Sequence, residues 1–248
     1  MKVSVVVPAY NEQELLPACL EALLSQSHAP DEIIVVDNNS TDQTAEVARA
    51  YGVTVINEAR QGIMPAVYSG MTTSKGDIIA RCDADSIVPS DWVERIVEIL
   101  QARPDAAGVT GPGRFYGTNA IRANLAQVWY MYAYFLLAGS ALANWPLFGS
   151  NCAIRRTAWQ EIRESLHRDH TDIHDDMEIS MHIMPNQPII LKPSLVVGIS
   201  SRSLRIGDMK RRYEYGWNTL AMHWPTNSPW RRWRVRFGLT QSTNLAKK

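Results

Sequence analysis

The chain has 248 residues, 46% of them hydrophobic and 20% charged, and its 25 Lys/Arg balance 25 Asp/Glu. That is the composition of an ordinary soluble globular protein, long enough for one α/β domain with a full core or for two small ones. Three widely spaced cysteines, Cys19, Cys82 and Cys152, support neither a disulfide framework nor a zinc site and fit a reducing compartment.

The opening run Val3-Ser4-Val5-Val6-Val7-Pro8 reads as a fully buried strand, too short for a signal peptide and without a small-residue cleavage site. Asn11 to Glu14 has the residue types of a helix cap. Leu15, Leu16, Cys19, Leu20, Leu23 and Leu24 then fall on one helical stripe. Pro17 fits only the first turn, so the regular helix starts late. Ile33 to Asp37 predicts a second buried strand that ends in a carboxylate, and Asn38 to Gln43 a turn and a second helix cap. Val53 to Ile56 is a short third strand, and Arg60-Gln61-Gly62 opens a loop and a helix to Met71.

A fourth strand-length run, Asp77 to Asp85, closes in Asp83-Ala84-Asp85, after which Ser90 caps a helix carrying Trp92, Val93, Ile96, Val97 and Leu100. Four alternations of strand and helix predict an α/β fold with a mostly parallel sheet, whose ligands bind at the carboxyl edge. Two carboxylates one residue apart at that edge can both reach a divalent cation, and magnesium is usually held by one or two carboxylates plus substrate phosphates. A solvated turn after a strand is the alternative for this short motif taken alone.

Beyond Gly111-Pro112-Gly113 the character changes, without a clean domain boundary. Ala123 to Ile154 contains no Asp, Glu, Lys or Arg. The run just reaches the length of a membrane span, but Gln127, Asn144 and the aromatic content favour a buried or interfacial helix. Asp175-Asp176-Met177-Glu178 enters a helix with acidic residues in its first turn, the end that favours negative charge. Ile189 to Leu191 and Leu195 to Val197 resemble late strands, and a basic, aromatic helix runs from Leu204 to Trp224. From Arg202 onward there are 11 Lys/Arg against 2 Asp/Glu, while residues 1–201 hold 14 against 23. The alternating Trp and Arg of 230–237 fit a membrane-surface segment; a solvated terminus or an intersubunit packing arm stays open. Nucleic-acid binding is disfavoured by the acidic body. His167, His170, His174 and His182 gather near the acidic helix start, at a spacing that matches no zinc motif. His174 either assists a metal or phosphate or is a satisfied polar residue at a helix start.

Five motifs in this order, Val6 to Glu12, Val35 to Asp42, Asp83-Ala84-Asp85, Phe148-Gly149-Ser150-Asn151 and Asp175 to Glu178, resemble the family 2 glycosyltransferases, which have the GT-A fold. The similarity runs from about Lys2 to about Gly198. It implies a catalytic domain over 1–200, with a nucleotide-binding half to about 110 and an acceptor half from about 111, followed by a helical extension over 201–248. It implies that Pro8, Tyr10 and Glu12 lie against base and ribose, that Asp37 accepts a hydrogen bond from the base, and that Gly62 gives the diphosphate close access. Asp83 would face ribose or metal beside Ala84, Asp85 would bind a divalent metal (Mg2+ or Mn2+), and Gly149, Ser150, Asn151 and Asp175 would shape the sugar and acceptor pocket. Asp176 matches the family's catalytic base.

A cation neutralises the departing diphosphate without moving a proton, and one carboxylate takes the acceptor's proton; a retaining enzyme would need a second carboxylate as nucleophile. Inversion follows, with Asp175 turned elsewhere on its helix. The implied partners are a nucleoside-diphosphate sugar, uridine ahead of guanosine, and a hydroxyl acceptor, a lipid-linked one included. Peripheral contact of the tail with the cytoplasmic face of a membrane is expected, with homo-oligomerisation open. The loop after Gly62 carries Val67 and Tyr68 where the family often has Arg and Asn. The processive synthases' signature survives only as Met209 to Tyr213, which implies one sugar per encounter. A sugar nucleotidyltransferase would show a basic Gly-rich loop after the first strand, which is missing; an inactive nucleotide-sugar binding module is the other alternative.

Overall fold

Every residue of β1 (Val3–Ala9) is buried, the condition of a parallel strand paired on both edges and covered on both faces. Around it the chain alternates β2 (Glu32–Asp37), β3 (Thr54–Asn57) and β4 (Ile78–Arg81) with α1 (Leu16–Leu24), α2 (Thr44–Ala50), α3 (Ile63–Thr73) and α4 (Trp92–Ala102). The second half adds β5 (Gly108–Thr110), β6 (Gly113–Tyr116), α5 (Ala120–Ala126), a π-helical stretch Gln127–Tyr132 and α6 (Ala133–Leu142). It continues with β7 (Cys152–Arg155), α7 (Arg156–Ile162), α8 (Asp175–His182), β8 (Ile189–Leu191), β9 (Val197–Ser200), α9 (Ile206–Met222) and α10 (Pro229–Arg236). The computed structural model describes residues 1–204 and 206–241; Lys247 and Lys248, counted in the basic tail, lie outside the described residues.

The main sheet has the order β3-β2-β1-β4-β7-β5-β8, and β6 pairs with β9 in a second sheet. β1 is parallel to β2 and β4, with Ala9 beside Asp37 and Val6 beside Arg81, so the carboxyl ends of the three strands share one edge. β7 runs antiparallel between β4 and β5, with Cys152 opposite Arg81. The chain entering β7, Gly149 to Asn151, therefore reaches that same edge. A bridge between Ile87 and Gly198 ties the loop after β4 to β9. Successive strand residues face opposite ways. One face buries Val5, Val7 and Ile78 against Leu16, Leu20, Trp92 and Ile96; the other buries Val6, Ile34 and Ile79 against Met64, Val67, Trp159 and Ile162.

Some local expectations are corrected. α1 starts late, as Pro17 requires, but Asn11 does not cap it: at φ 53° it accepts the Thr41 N–H on Oδ1. Nor does Ser90 cap α4, whose Val93 N–H is accepted by Gln26 Oε1 at 3.0 Å. The Ala123–Leu142 helix is long and apolar enough to cross a membrane. It packs Met131, Phe135, Ala138 and Leu142 inward, while Trp129, Tyr132, Leu136 and Leu137 face out. The basic segment 229–236 packs against the body of the fold. Arg232 of α10 is fully buried, and its guanidinium donates to the carbonyls of Leu142, Met181 and Ile183 at 2.6, 2.7 and 2.9 Å. Those carbonyls close α6 and α8, where a cation suits the helix dipole.

Candidate active site

A charged side chain in a buried strand must find opposite charge. Arg81, the last residue of β4, is 4% exposed. Its Nη1 donates to Asp175 Oδ2 at 2.5 Å and to Asp176 Oδ1 at 2.8 Å, and its Nη2 to Asp83 Oδ1 at 3.3 Å. One guanidinium thus joins the D-x-D turn to the start of α8. The motifs carried by the family resemblance pass this residue over; the signal was in plain view, an arginine inside Ile78-Ile79-Ala80-Arg81-Cys82.

The register of β4 with β7 brings Gly149 against α8. Its N–H donates to Asp176 Oδ2 at 2.7 Å, and a Cβ at Gly149 would overlap the Asp176 carboxylate and the Arg81 guanidinium. Asp175 does not turn elsewhere, since both aspartates reach the same Arg81 nitrogen. Their shared burial separates them electrostatically. Desolvation, then the Asp175 charge, push Asp176 well above the ordinary carboxylate range, against the pull of Arg81 and the Gly149 N–H. Asp175 moves down because Arg81 and His174 outweigh its desolvation. His174, at the start of α8, is half-buried, and its Nδ1 has no hydrogen-bond partner but stands 4.0 Å from Asp175 Oδ1, so it is not the fully satisfied polar residue of one reading.

Beside this cluster, three carboxylates converge. Asp83 Oδ2 accepts the Ser150 hydroxyl at 2.5 Å. Arg202, just past β9, donates from Nη2 to Glu12 Oε1 and Oε2 at 2.9 and 2.8 Å and to Asp85 Oδ2 at 3.3 Å. Arg202 was legible only as part of a basic tail. Burial, then the charges of Asp83 and Glu12, push the Asp85 carboxyl up to about 6 despite Arg202. Burial and neighbouring carboxylates raise Glu12 as well. Self-repelling carboxylates beside one exposed-side guanidinium fit a divalent cation as counter-charge. Manganese affinity is therefore expected to fall as pH drops through about 6, where Asp85 takes up a proton. Calorimetric titration across this range measures it, and an affinity independent of pH contradicts it.

These groups open on one cleft of about 790 Å³. Pro8, Tyr10, Glu12, Gly62, Asp83, Ala84 and Asp85 line it, as do Ser150, Asp175 and Asp176. Gly62 has φ 144°, a backbone state that favours glycine, but its N–H is engaged by Asn38 Oδ1 at 2.8 Å. Asp37, Gly149 and Asn151 are not among the lining residues. Asp37 is buried and accepts the Ser40 N–H at 3.3 Å, and the neighbouring Asn38 faces the cleft instead. Asn151 is corrected from pocket residue to structural pin. It has no exposed surface; its Oδ1 accepts the Trp92 indole N–H at 2.8 Å, and its Nδ2 donates to the carbonyls of Pro112 and Leu195. Val67 is buried in α3, and Tyr68 packs edge-on against Trp159, so neither replaces the phosphate contacts of that loop. Tyr130 and Tyr134, from the uncharged segment, line the cleft near α8.

The family profile described as "Glycosyl transferase family 2" matches residues 4–163. The undecaprenyl-phosphate 4-deoxy-4-formamido-L-arabinose transferase of Serratia proteamaculans is 33% identical over 139 residues, 52% of this chain and 39% of its own. The mannosyltransferase PcManGT of Pyrobaculum calidifontis, solved with GDP-Man and Mn2+, superposes with TM-score 0.62 at 24% identity, covering 79% of this chain and 56% of that one. S. aureus TarS 1–349, solved with UDP-GlcNAc, gives TM-score 0.62 at 16% identity over 81% of this chain and 58% of its own. The chain thus spans less than two thirds of the length of each of these three, and the two solved structures bear on the fold alone.

Proposed function

The chain belongs to glycosyl transferase family 2, and from that premise we propose that it moves one hexose, with inversion, from a nucleoside-diphosphate sugar to a hydroxyl acceptor. The observation that carries this reading is a single cleft lined by Asp83, Asp85 and Asp176, with Arg81 joining Asp83 to Asp176. Pro8, Tyr10 and Asn38, at the ends of β1 and β2, would flank the base and ribose. Asp83 and Asp85, with Glu12 behind them, would hold a divalent metal, Mg2+ or Mn2+, whose chemistry is to neutralise the charge developing on the departing diphosphate. Arg202 would swing aside or share that charge.

Asp176 would take the proton of the acceptor hydroxyl as it reaches the anomeric carbon. A general base works best with a pKa raised toward the operating pH, and burial and the ionised Asp175 shift Asp176 in that direction. Asp175 is tied to Arg81 at 2.5 Å, which supports a positioning role in preference to a second nucleophile. A thermal-shift screen of uridine and guanosine diphosphates and their sugars, with and without manganese, tests the reading, because specific stabilisation follows affinity. Manganese-dependent stabilisation by a UDP-sugar is expected; no shift with any nucleotide sugar contradicts it.

A lipid-linked acceptor, reached from the cytoplasmic face of a membrane, fits two observations. The Serratia relative carries undecaprenyl-phosphate in its name, and Trp129, Leu137, Trp230 and Phe237 are large apolar side chains left exposed. Each contributes about 1.5–3 kcal/mol on full burial, so changing all four to Ser is expected to lower partition onto anionic vesicles by more than about tenfold. Co-sedimentation measures it, and unchanged partition contradicts the membrane contact.

A further inference from the structure

Away from the cleft, the fold assembles histidines that lie far apart in sequence. His167 comes from the loop before α8, His182 from the last turn of α8, and His223 from just beyond α9. All three face Glu178, which has no exposed surface. His167 Nδ1 and His182 Nε2 stand 2.8 and 3.0 Å from Glu178 Oε1, and His223 Nε2 stands 2.8 Å from Oε2. One donor atom from each of the four lies within 4.8 Å of every other.

We propose that His167, Glu178, His182 and His223 form a closed site for a divalent transition metal, zinc being the best match, which fastens α9 and the 167 loop to the helix bearing Asp175 and Asp176.

Three arguments carry it. The donor set is three imidazole nitrogens and one carboxylate, which suits zinc, whereas magnesium and calcium take oxygen. Ligands about 2.0–2.2 Å from a tetrahedral zinc stand roughly 3.3 Å from one another; the His–Glu178 pairs, at 2.8–3.0 Å, and the other pairs, within 4.8 Å, need only small shifts to reach that. Glu178 is a carboxylate with no exposed surface, and a buried carboxylate calls for positive charge beside it. Four protein ligands leave no open position, the mark of a structural rather than a catalytic zinc. Glu178 follows Asp176 by two residues on α8, so the ion would brace the helix on which the base is mounted.

The test is metal content and zinc titration of the full chain, stripped with a chelator and refilled in competition with a chromophoric chelator. It is run in the Asp85→Ala background so that the cleft's own cation does not register. One zinc per chain is expected, with a melting temperature that rises with zinc concentration and, for the cobalt form, the visible absorption of a four-coordinate ion. His223→Gln and His167→Asn are each expected to weaken zinc binding by more than about tenfold. If His223→Gln does not fold, His167→Asn, on the less buried side, carries the comparison. No zinc uptake, uptake unaffected by either variant, or melting that follows pH but ignores zinc overturns the proposal.

Discussion

Asp176→Asn is expected to remove sugar transfer, by about 10²–10⁴-fold or more, while nucleotide-sugar binding stays within a few-fold of the parent chain. Asparagine keeps the shape of the side chain and can still accept from Arg81 or Gly149, but it cannot take a proton. The binding half of the cleft, from Pro8 to Asp85, does not touch it. A companion variant separates base chemistry from packing. Burial and the Asp175 charge raise Asp176, so kcat/KM is expected to rise with pH through a limb above the ordinary carboxylate range. Asp175→Asn removes the like charge, which favours ionisation of Asp176 and moves that limb to lower pH. A pH–rate profile with manganese held saturating reads both; near-normal turnover in Asp176→Asn refutes the assignment.

The second large effect is on stability. Arg81→Met is expected to cost about 3–5 kcal/mol, the usual penalty for removing one partner from a buried ionic cluster. Three carboxylates, Asp83, Asp175 and Asp176, lose the guanidinium that joins them, and methionine offers no donor. Arg81→Lys keeps the charge but not the fork that reaches all three carboxylates, so an intermediate loss is expected. Chemical unfolding of the three chains measures the order. Equal midpoints for parent and Arg81→Met contradict the view that this residue organises the site.

How much of this was legible beforehand follows from what each feature depends on. β1, β2 and β4 were readable because buried parallel strands appear as continuous apolar runs. Asp83, Asp85 and the acidic start of α8 were readable because strand ends and helix starts are local signals. What escaped depends on pairs remote in sequence. Arg81 meets Asp175 and Asp176 only because β7 is inserted beside β4, and no period in the chain announces a reversed strand there. Asn151 looked like a pocket residue from its motif, yet the Trp92 indole and two carbonyls occupy its amide. The basic character of the end of the chain was plain, but not that Arg232 would be buried under three helix-end carbonyls. The ring around Glu178 draws on residues from 167 to 223, beyond any spacing rule.

The central claim is a cation anchored at Asp83 and Asp85 with the proton acceptor in the same cleft. Calorimetric titration of UDP with and without manganese, on the parent chain, Asp85→Ala and Asp176→Asn, tests it most directly. The account predicts manganese-dependent binding in the parent, kept in Asp176→Asn and lost in Asp85→Ala. Undiminished manganese dependence in Asp85→Ala would contradict it.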